Sequence, residues 1–251
     1  MASPGESGGS VKKSRGHLIV VEGLDRSGKT TQCQTLCEAI RDDGKNFKYV
    51  KFPDRTTATG QMINAYLQGT AEQSDEAIHL LFSANRWEAA PDIVKDLEAG
   101  TTIVIDRYSF SGGVYSAAKE NPNMSLEWCW NPEIGLPKPD MVMFLDISSE
   151  DAAKRGGYGE ERYEKEEMQN KVRHLFQGLF RRLGKLLVIP IMAGRSQTEV
   201  ANDMSMAYQA LVKIVPDTAP LARLSALTED PADQRSSSLS SMTTSSISAI
   251  H

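Results

Sequence analysis

The sequence predicts one α/β domain in which a five-stranded parallel sheet is flanked by helices on both faces. Short apolar runs alternate with segments that have helical spacing. Strands that are apolar throughout are typical of parallel sheets, because both faces of such a sheet are buried. A glycine-rich segment, Gly23 to Thr30, also joins the first apolar run to the first helical segment. These two observations predict a three-layer domain with a phosphate site at the carboxyl ends of its strands.

The elements follow in chain order from the apolar runs and the helical periods. The five strands are predicted at residues 18–21, 47–52, 102–105, 141–145 and 186–189. Helices are predicted from the glycine-rich segment to about residue 43, and at residues 74–97, 163–182 and 198–212. Pro91 is expected to break the second helix, because proline lacks the backbone N–H that continues a helix. The domain is predicted to span residues 16–216.

The glycine-rich segment reads Gly23-Leu24-Asp25-Arg26-Ser27-Gly28-Lys29-Thr30 and fits the P-loop pattern, Gly-x4-Gly-Lys-Thr. The glycines let successive N–H groups point inward, and the following helix directs its positive dipole end to the same place. The alternative, an ordinary glycine-rich turn before a helix, explains neither the full pattern nor its strand and helix flanks. The loop therefore predicts a P-loop NTPase-like domain that binds a polyphosphate, with Lys29 and Thr30 as direct ligands. Gly23, Arg26, Ser27, Gly28, Lys29, Thr30 and Thr31 are the candidate residues for this site, and the family resemblance described below implies that the polyphosphate is ATP.

A magnesium site is predicted next to this loop. Asp106 ends the third apolar run, and the carboxyl ends of parallel strands meet at one edge of the sheet. The Thr30 hydroxyl and the Asp106 carboxylate are oxygen ligands of the kind that Mg²⁺ prefers beside a nucleotide. An exposed Asp at a strand end is the alternative if Asp106 is considered alone.

Composition limits the partners of the chain. The 251 residues are 40% apolar and 24% charged, with a net charge of −5, which argues against a nucleic-acid coat and for a free nucleotide. No apolar run approaches the length of a membrane span, and the first residues lack a signal core. We therefore expect neither a nucleic-acid nor a membrane partner, and a cytoplasmic or also nuclear location. The three cysteines are expected to be reduced thiols.

Both ends of the chain differ in composition from the middle. Residues 1–15 are rich in Gly, Ser and Lys, and we expect a flexible segment there. Residues 217–251 are expected to form a disordered tail, because the mostly Ser and Thr stretch from 236 to 248 offers little apolar surface to bury. The tail could instead be a segment regulated by phosphorylation.

Arginines recur at strand ends and near the loop, where guanidinium groups suit phosphate. They are Arg26, Arg55, Arg86 and Arg107. Phe82 lies four residues before Arg86, so the two side chains share one helix face. The aromatic ring could stack on a base, and the guanidinium group, which has only N–H donors, could donate hydrogen bonds to acceptor atoms of that base. Scattered surface arginines and a core Phe82 are the alternative interpretation.

A lid is predicted at about residues 154–164. This stretch combines Gly156, Gly157 and Gly159 with charged residues just before a helix. Flexible hinges of this kind are typical of closing lids, although a plain connecting loop has a similar composition.

Together these motifs resemble the thymidylate kinases of eukaryotic type, the dTMP kinases of the nucleoside-monophosphate kinase group. The resemblance covers residues 16 to about 212. Besides the P-loop and the lid, the matching stretches are Phe52-Pro53-Asp54-Arg55, the run from Leu80 to Glu88, the run from Asp106 to Gly112, and Gly135-Leu136-Pro137-Lys138-Pro139-Asp140. One departure is Met192, which stands before Ala193 where relatives tend to carry an Asp at the adenine site.

The resemblance implies phosphoryl transfer from ATP, with Mg²⁺, to dTMP in a homodimer. Lys29, Arg26, Asp25 and Arg107 resemble the catalytic residues, and Arg155 and Arg195 lie where the family holds the adenine side of ATP. Arg26 would supply the charge that lid arginines supply in bacterial-type relatives. The residues that resemble ligands of dTMP are Asp25, Arg55, Phe82, Arg86, Arg107, Ser111, Tyr115 and Gln169.

Among these, Asp25 would hold the sugar 3′-hydroxyl, Phe82 would stack on thymine and Arg86 would donate to its O4. Tyr115 would occupy the space next to the sugar 2′ position, and Gln169 would approach the nucleotide from the lid side.

Two other classes of function remain open on the residues alone. A P-loop kinase for another monophosphate or a deoxynucleoside would share the loop, but the set Phe82, Arg86 and Tyr115 speaks against it. A non-catalytic guanine-nucleotide protein would carry an Asn-Lys-x-Asp motif. The only near match, Asn170-Lys171-Val172-Arg173, lacks the final Asp.

Overall fold

The computed structural model describes residues 14–155 and 166–230, and five strands in it form one parallel sheet in the order β2-β3-β1-β4-β5. The strands are β1 (Leu18–Gly23), β2 (Phe47–Lys51), β3 (Thr102–Asp106), β4 (Met141–Asp146) and β5 (Val188–Met192). Strands β1 and β3 are buried along their whole length, whereas β2 and β5 are the edges. The predicted fold class is confirmed.

Helices connect the strands and flank the sheet. They are α1 (Lys29–Asp42), α2 (Ala58–Leu67), α3 (Asp75–Glu98), α4 (Ser109–Ala117), α5 (Leu126–Trp130), α6 (Ser149–Ala153), α7 (Glu166–Arg182) and α8 (Gln197–Ile214), with a 3₁₀ turn at Asn131–Glu133. Helix α1 packs beside α8, and α4 packs beside α3 and α7. Several of these helices begin with a serine or threonine cap, and Ser196 and Glu199 form a reciprocal capping box at the start of α8.

The predicted break at Pro91 is wrong, because α3 runs through this proline. Ala90 and Ile93, on either side of it, are buried in the core. Their packing holds both halves of the helix in place, which offsets the loss of one backbone hydrogen bond.

The last strand begins and ends later than predicted. It pairs with β4 from Val188 to Met192 and contains Pro190 opposite Phe144. Proline is tolerated here because β5 is an edge strand, where a missing N–H can face away from the ladder. The apolar run at 186–189 therefore marked only the first half of the strand.

The predicted domain boundary at residue 216 lies too early, because residues 217–230 pack on the domain. Arg223 bridges with Pro137 in antiparallel fashion, and Leu224 is buried in the main core. Leucines at positions 221, 224 and 227 contact this core. They were missed in the sequence because the mean composition of residues 217–251, on which the prediction rested, is polar. Residues 231–251 lie outside the described part of the chain.

At the other end of the chain, Arg15 also belongs to the domain. It is buried and forms a bidentate ion pair with Asp140 at 2.8 Å. Residues 1–13, which make up most of the predicted flexible segment, lie outside the described residues.

Cys33, Cys37 and Cys129 are unpaired, buried thiols, as predicted. Burial raises the pKa of Cys37 to about 11 and that of Cys129 to about 12, which keeps both thiols protonated. Within residues 14–155 and 166–230, no helix has the length and apolar character needed to span a bilayer.

Candidate active site

The P-loop joins β1 to α1 at the carboxyl edge of the sheet. Gly23 has φ +146°, and a Cβ there would lie 2.4 Å from the Leu145 carbonyl oxygen, so only glycine fits. Gly28, with φ +86°, is the left-handed N-cap of α1. The loop therefore ends on the N-terminus of a 14-residue helix, where free N–H groups and the helix dipole favour an anion.

Lys29 is the buried cation of this loop. Its Nζ donates to the Leu24 carbonyl at 2.6 Å and to the Ser27 hydroxyl at 3.3 Å. Burial and the nearby Arg107 lower the pKa of Lys29 to about 8, against the opposing charge of Asp25. A phosphate group would favour the ammonium form, so this side chain is suited to an anionic ligand.

The two predicted magnesium ligands lie together. The Thr30 hydroxyl donates to Oδ2 of Asp106 at 2.6 Å, and the Tyr49 hydroxyl donates to the same oxygen at 3.0 Å. Among the described residues there is no cluster of three or more His, Cys, Asp and Glu side chains that could hold a metal alone. One hydroxyl and one carboxylate suit Mg²⁺ that takes its other ligands from nucleotide phosphates and water.

Four of the residues predicted to bind dTMP, which are Asp25, Arg107, Tyr115 and Gln169, form one hydrogen-bonded network around the Asp25 carboxylate. Arg107 donates to Oδ1 of Asp25, while Tyr115 at 3.0 Å and Gln169 at 2.6 Å donate to Oδ2. The Asp25 N–H in turn donates to the Gln169 amide oxygen at 3.0 Å. Burial alone would raise the pKa of Asp25, but Arg107 and Lys29 outweigh it and the pKa is lowered. Residues up to 144 positions apart thus hold one ionised carboxylate beside the P-loop.

Glu22 is a buried residue of the site that the sequence analysis missed. Its carboxylate accepts from the N–H groups of Tyr108 at 2.9 Å and Ser111 at 3.0 Å, and from the Ser111 hydroxyl. Burial raises its pKa, although the Ser111 hydrogen bonds and Arg107 oppose this. It fixes the turn that presents Arg107 and Ser111, which also share a hydrogen bond of 3.1 Å. A charged residue inside an apolar strand was the available signal.

Arg86 and Phe82 lie on the cavity-facing side of α3. Arg86 is 2% exposed and pairs with Glu133 through Nε to Oε2 at 2.7 Å and Nη2 to Oε1 at 2.6 Å. Burial alone would raise the pKa of Glu133, yet the Arg86 charge and hydrogen bonds lower it. Glu133 was also missed, since an acid in an Asn-Pro-Glu turn looks like a surface residue in the sequence.

These side chains surround one cavity of about 470 Å³ next to the P-loop. The predicted residues that line it are Asp25, Arg26, Gly28, Lys29, Thr30, Thr31, Arg55, Phe82, Arg86, Asp106, Arg107, Ser111 and Tyr115. Arg55 is at the open side and donates to Asn64 at 2.9 Å. Gln169 reaches this group of residues through Asp25.

A second cavity of about 460 Å³ lies on the other side of the loop. Ser27, Arg155 and Arg195 line it, and Gly28 and Thr31 line both cavities. Arg155 donates to the Arg26 carbonyl at 2.9 Å and to the Ala193 carbonyl at 2.5 Å. Arg195 pairs with Asp203 at the surface, and Met192 is 62% exposed.

Arg26 has φ +63°, a left-handed backbone that is uncommon for a long side chain, and it lines the first cavity. Of the predicted lid, residues 156–164 lie outside the described residues. The structure thus brings the predicted site residues to the two cavities, apart from Gly23, which shapes the loop, and Gln169, which acts through Asp25.

Comparison with known proteins identifies the arrangement. The sequence model of the family described as Thymidylate kinase matches residues 21–204. A thymidylate kinase of Danio rerio is 46% identical over 200 residues, which cover 80% of this chain and 93% of the relative. The thymidylate kinase of Homo sapiens is 48% identical over 167 residues, covering 66% of this chain and 79% of the relative.

A solved structure of thymidylate kinase from Candida albicans superposes with a TM-score of 0.74 at 34% sequence identity. The superposition covers 84% of this chain and 99% of that one.

Proposed function

The chain belongs to the thymidylate kinase family and phosphorylates dTMP to dTDP with ATP; we propose that its two cavities hold the two nucleotides. The first cavity would take dTMP and the second the adenine side of ATP. The observation that carries this assignment is that Gly28 and Thr31 of the P-loop line both cavities. The phosphates of both nucleotides would therefore converge on Lys29.

The reaction requires positioning and charge neutralisation more than proton transfer. The second pKa of a phosphate monoester is about 6, so dTMP is mostly dianionic at neutral pH and needs no general base. The barrier is the approach of two polyanions, which the cations around the loop offset. In this assignment Arg55 and Arg107 hold the acceptor phosphate, and Lys29 and Arg26 neutralise the charge that develops on the transferred group.

Thr30 and Asp106 would hold Mg²⁺. Bound there, the ion would supply positive charge next to the phosphates. The contribution of the protein is to keep Asp106 in place, and the hydrogen bonds from Thr30 and Tyr49 at 2.6 and 3.0 Å do this.

The sugar and base are assigned to the network and to α3. Asp25, with its lowered pKa, accepts from the sugar 3′-hydroxyl, while the Tyr115 ring occupies the space that a 2′-hydroxyl needs. Phe82 lies under the base. Arg86 has five N–H donors, two of which Glu133 uses, so the others can donate to O4 of thymine.

An apolar stripe supports the proposal of a homodimer. Leu80 and Trp87, seven residues apart on α3, are 47% and 41% exposed on one face of the helix. Large exposed apolar side chains grouped on one face are typical of interfaces. Sedimentation equilibrium of the protein and of Leu80→Glu tests this: we expect a dimer that the substitution weakens, and a monomeric wild-type chain would reject it.

An ADP-release assay with ATP, Mg²⁺ and a panel of monophosphates tests the assignment of the acceptor cavity. We expect turnover in the order dTMP, dUMP, dCMP. With dCMP the donors of Arg86 face the cytosine amine, which leaves these groups unpaired. The cost is about 1 to 3 kcal/mol, or about five- to 150-fold in kcat/KM. Equal kcat/KM for dTMP and dCMP would show that Arg86 does not read the base.

A further inference from the structure

We propose that Glu133, held in place by residues 222–225 of the C-terminal segment, is a positioning residue that fixes Arg86 for base selection. The C-terminal segment would then contribute to selectivity for the acceptor base, although it does not line the cavity. This inference rests on the proposed role of Arg86 as the reader of O4.

The Arg86 guanidinium has little freedom on the side away from the cavity. Both oxygens of Glu133 bind it, and Glu133 is 0% exposed. A Cβ added at Gly112 would lie 2.4 Å from Nη2, so the backbone of α4 closes another side. A bidentate pair fixes the plane of a guanidinium as well as its position. The direction of the remaining N–H donors therefore depends on where the Glu133 carboxylate lies.

The backbone that carries Glu133 is a short turn between α5 and β4. It ends a 3₁₀ turn of three residues, and Gly135, with φ +99°, follows two residues later. On the near side, Ser83 and Trp87 of α3 donate to the Pro132 carbonyl at 3.2 and 2.7 Å. One such turn contains too few backbone hydrogen bonds to hold a carboxylate by itself.

The C-terminal segment holds the far side of this turn. The Gly135 N–H donates to the Leu224 carbonyl and the Leu224 N–H to the Leu136 carbonyl, both at 2.9 Å. The Lys138 N–H donates to the Ala222 carbonyl at 2.9 Å. Before the turn, the indole N–H of the buried Trp130 donates to the Ser225 carbonyl at 2.8 Å. Contacts on both sides of Glu133 thus come from four consecutive residues, 222–225.

Leu224 anchors these four residues. It is 3% exposed and belongs to the main hydrophobic core. Shortening it removes the packing that keeps the backbone of the segment against Gly135 and Leu136, while it leaves the side chains that line the cavity unchanged. Selectivity for the base is then coupled to a leucine outside the cavity.

The test compares kcat/KM for dUMP with kcat/KM for dCMP, because these acceptors differ in the base at the 4-position and N3 and share the sugar and phosphate. Partial unfolding lowers both values equally and leaves their ratio unchanged. We expect Glu133→Gln to lower the dUMP to dCMP ratio about tenfold or more, and Leu224→Ala to lower it severalfold. If Glu133→Gln does not fold, Glu133→Asp moves the carboxylate by one methylene and is expected to lower the ratio severalfold.

Matched controls separate positioning from general damage. Glu127→Gln removes a surface acid of the preceding helix α5 that pairs with Arg182. Leu227→Ala shortens the next leucine of the C-terminal segment. Neither substitution is expected to change the ratio. In an Arg86→Met variant, adding Glu133→Gln is expected to cause no further change in the dUMP to dCMP ratio, because Glu133 acts through Arg86.

Two failures are distinguishable. If Arg86→Met leaves the ratio unchanged, Arg86 does not read the base and the proposed function of that residue is wrong. If Arg86→Met collapses the ratio while the Glu133 variants and Leu224→Ala keep it, Arg86 is positioned by other groups and this inference is overturned.

Discussion

The two sides of the P-loop are built in different ways. On the proposed acceptor side, carboxylates fix cations: the buried Glu133 holds Arg86, and the partly buried Asp25 holds Arg107. On the donor side, Arg195 is 41% exposed in its side chain and pairs with a surface Asp, and Arg155 binds backbone carbonyls. The proposed acceptor side is thus held by ion pairs between side chains, whereas the proposed donor side is held by hydrogen bonds to backbone carbonyls and by an exposed ion pair.

This difference predicts that substitutions have larger effects at the loop and the acceptor side than on the donor side. Buried, paired charges leave an uncompensated partner when one member is removed, which is costly. Exposed charges are solvated and contribute little.

The largest effect is expected for Lys29→Ala, because Lys29 lines the first cavity next to Gly28, a residue of both cavities. The variant loses the buried cation between the phosphates, and we expect kcat to fall by about three orders of magnitude or more. Single-turnover kinetics measure this, and the melting temperature checks the fold. A variant that keeps a tenth of the wild-type kcat would contradict the assignment of the loop.

Arg26→Gly is expected to lower kcat by about two orders of magnitude, with a much smaller change in KM for dTMP. Glycine suits the left-handed backbone at this position, φ +63°, so the substitution tests the side chain and not the fold. A strong rise in KM with unchanged kcat would instead make Arg26 a ground-state binding residue.

The pH dependence of kcat/KM sharpens the assignment of Lys29. In the free enzyme its pKa is lowered to about 8 by burial and Arg107, so the ammonium is lost as the pH rises above that value. We expect kcat/KM for ATP to fall by about tenfold per pH unit above 8, whereas kcat declines only at higher pH because bound phosphate favours the ammonium.

Lys29→Arg is the matched control for this profile. An arginine stays charged over the whole range, so the alkaline decline is expected to disappear, at a lower absolute rate. The neighbouring Cys33 has a raised pKa because of burial and is not expected to titrate in this range. If Lys29→Arg keeps the same decline, another group is responsible.

The smallest effect is expected for Arg195→Met on the donor side. It is compared with Gln169→Met on the acceptor side. Gln169→Met removes the amide that donates to Asp25 at 2.6 Å, and we expect kcat/KM for dTMP to fall about five- to tenfold. Arg195→Met is expected to change KM for ATP by less than about threefold, because its partner is at the surface. Both effects are measured by steady-state kinetics. A larger effect of Arg195→Met than of Gln169→Met would contradict the proposed difference between the two sides.

The sequence alone determined the strands, the P-loop and the edge of the sheet at which the site lies. The P-loop geometry is encoded in eight consecutive residues, since Gly23 and Gly28 permit the backbone angles that the loop requires. The apolar runs identified the strands, and Thr30 and Asp106 were placed together because strand ends meet at one edge of the sheet. Arg55, Arg86, Arg107 and Phe82 were singled out by their positions in the sequence, whereas Asp25, Ser111, Tyr115 and Gln169 were assigned to dTMP from the family resemblance.

The tertiary structure alone decided which distant groups meet and which local signals are overridden. Glu133 pairs with a residue 47 positions earlier, and nothing near an Asn-Pro-Glu turn reports that contact. Helix α3 continues through Pro91 because core packing on both sides outweighs one lost hydrogen bond. Residues 217–230 fold against the domain for the same reason: three spaced leucines find apolar partners that the local composition does not show. Local motifs specify backbone conformation, whereas these contacts depend on how the packed elements place separate parts of the chain side by side.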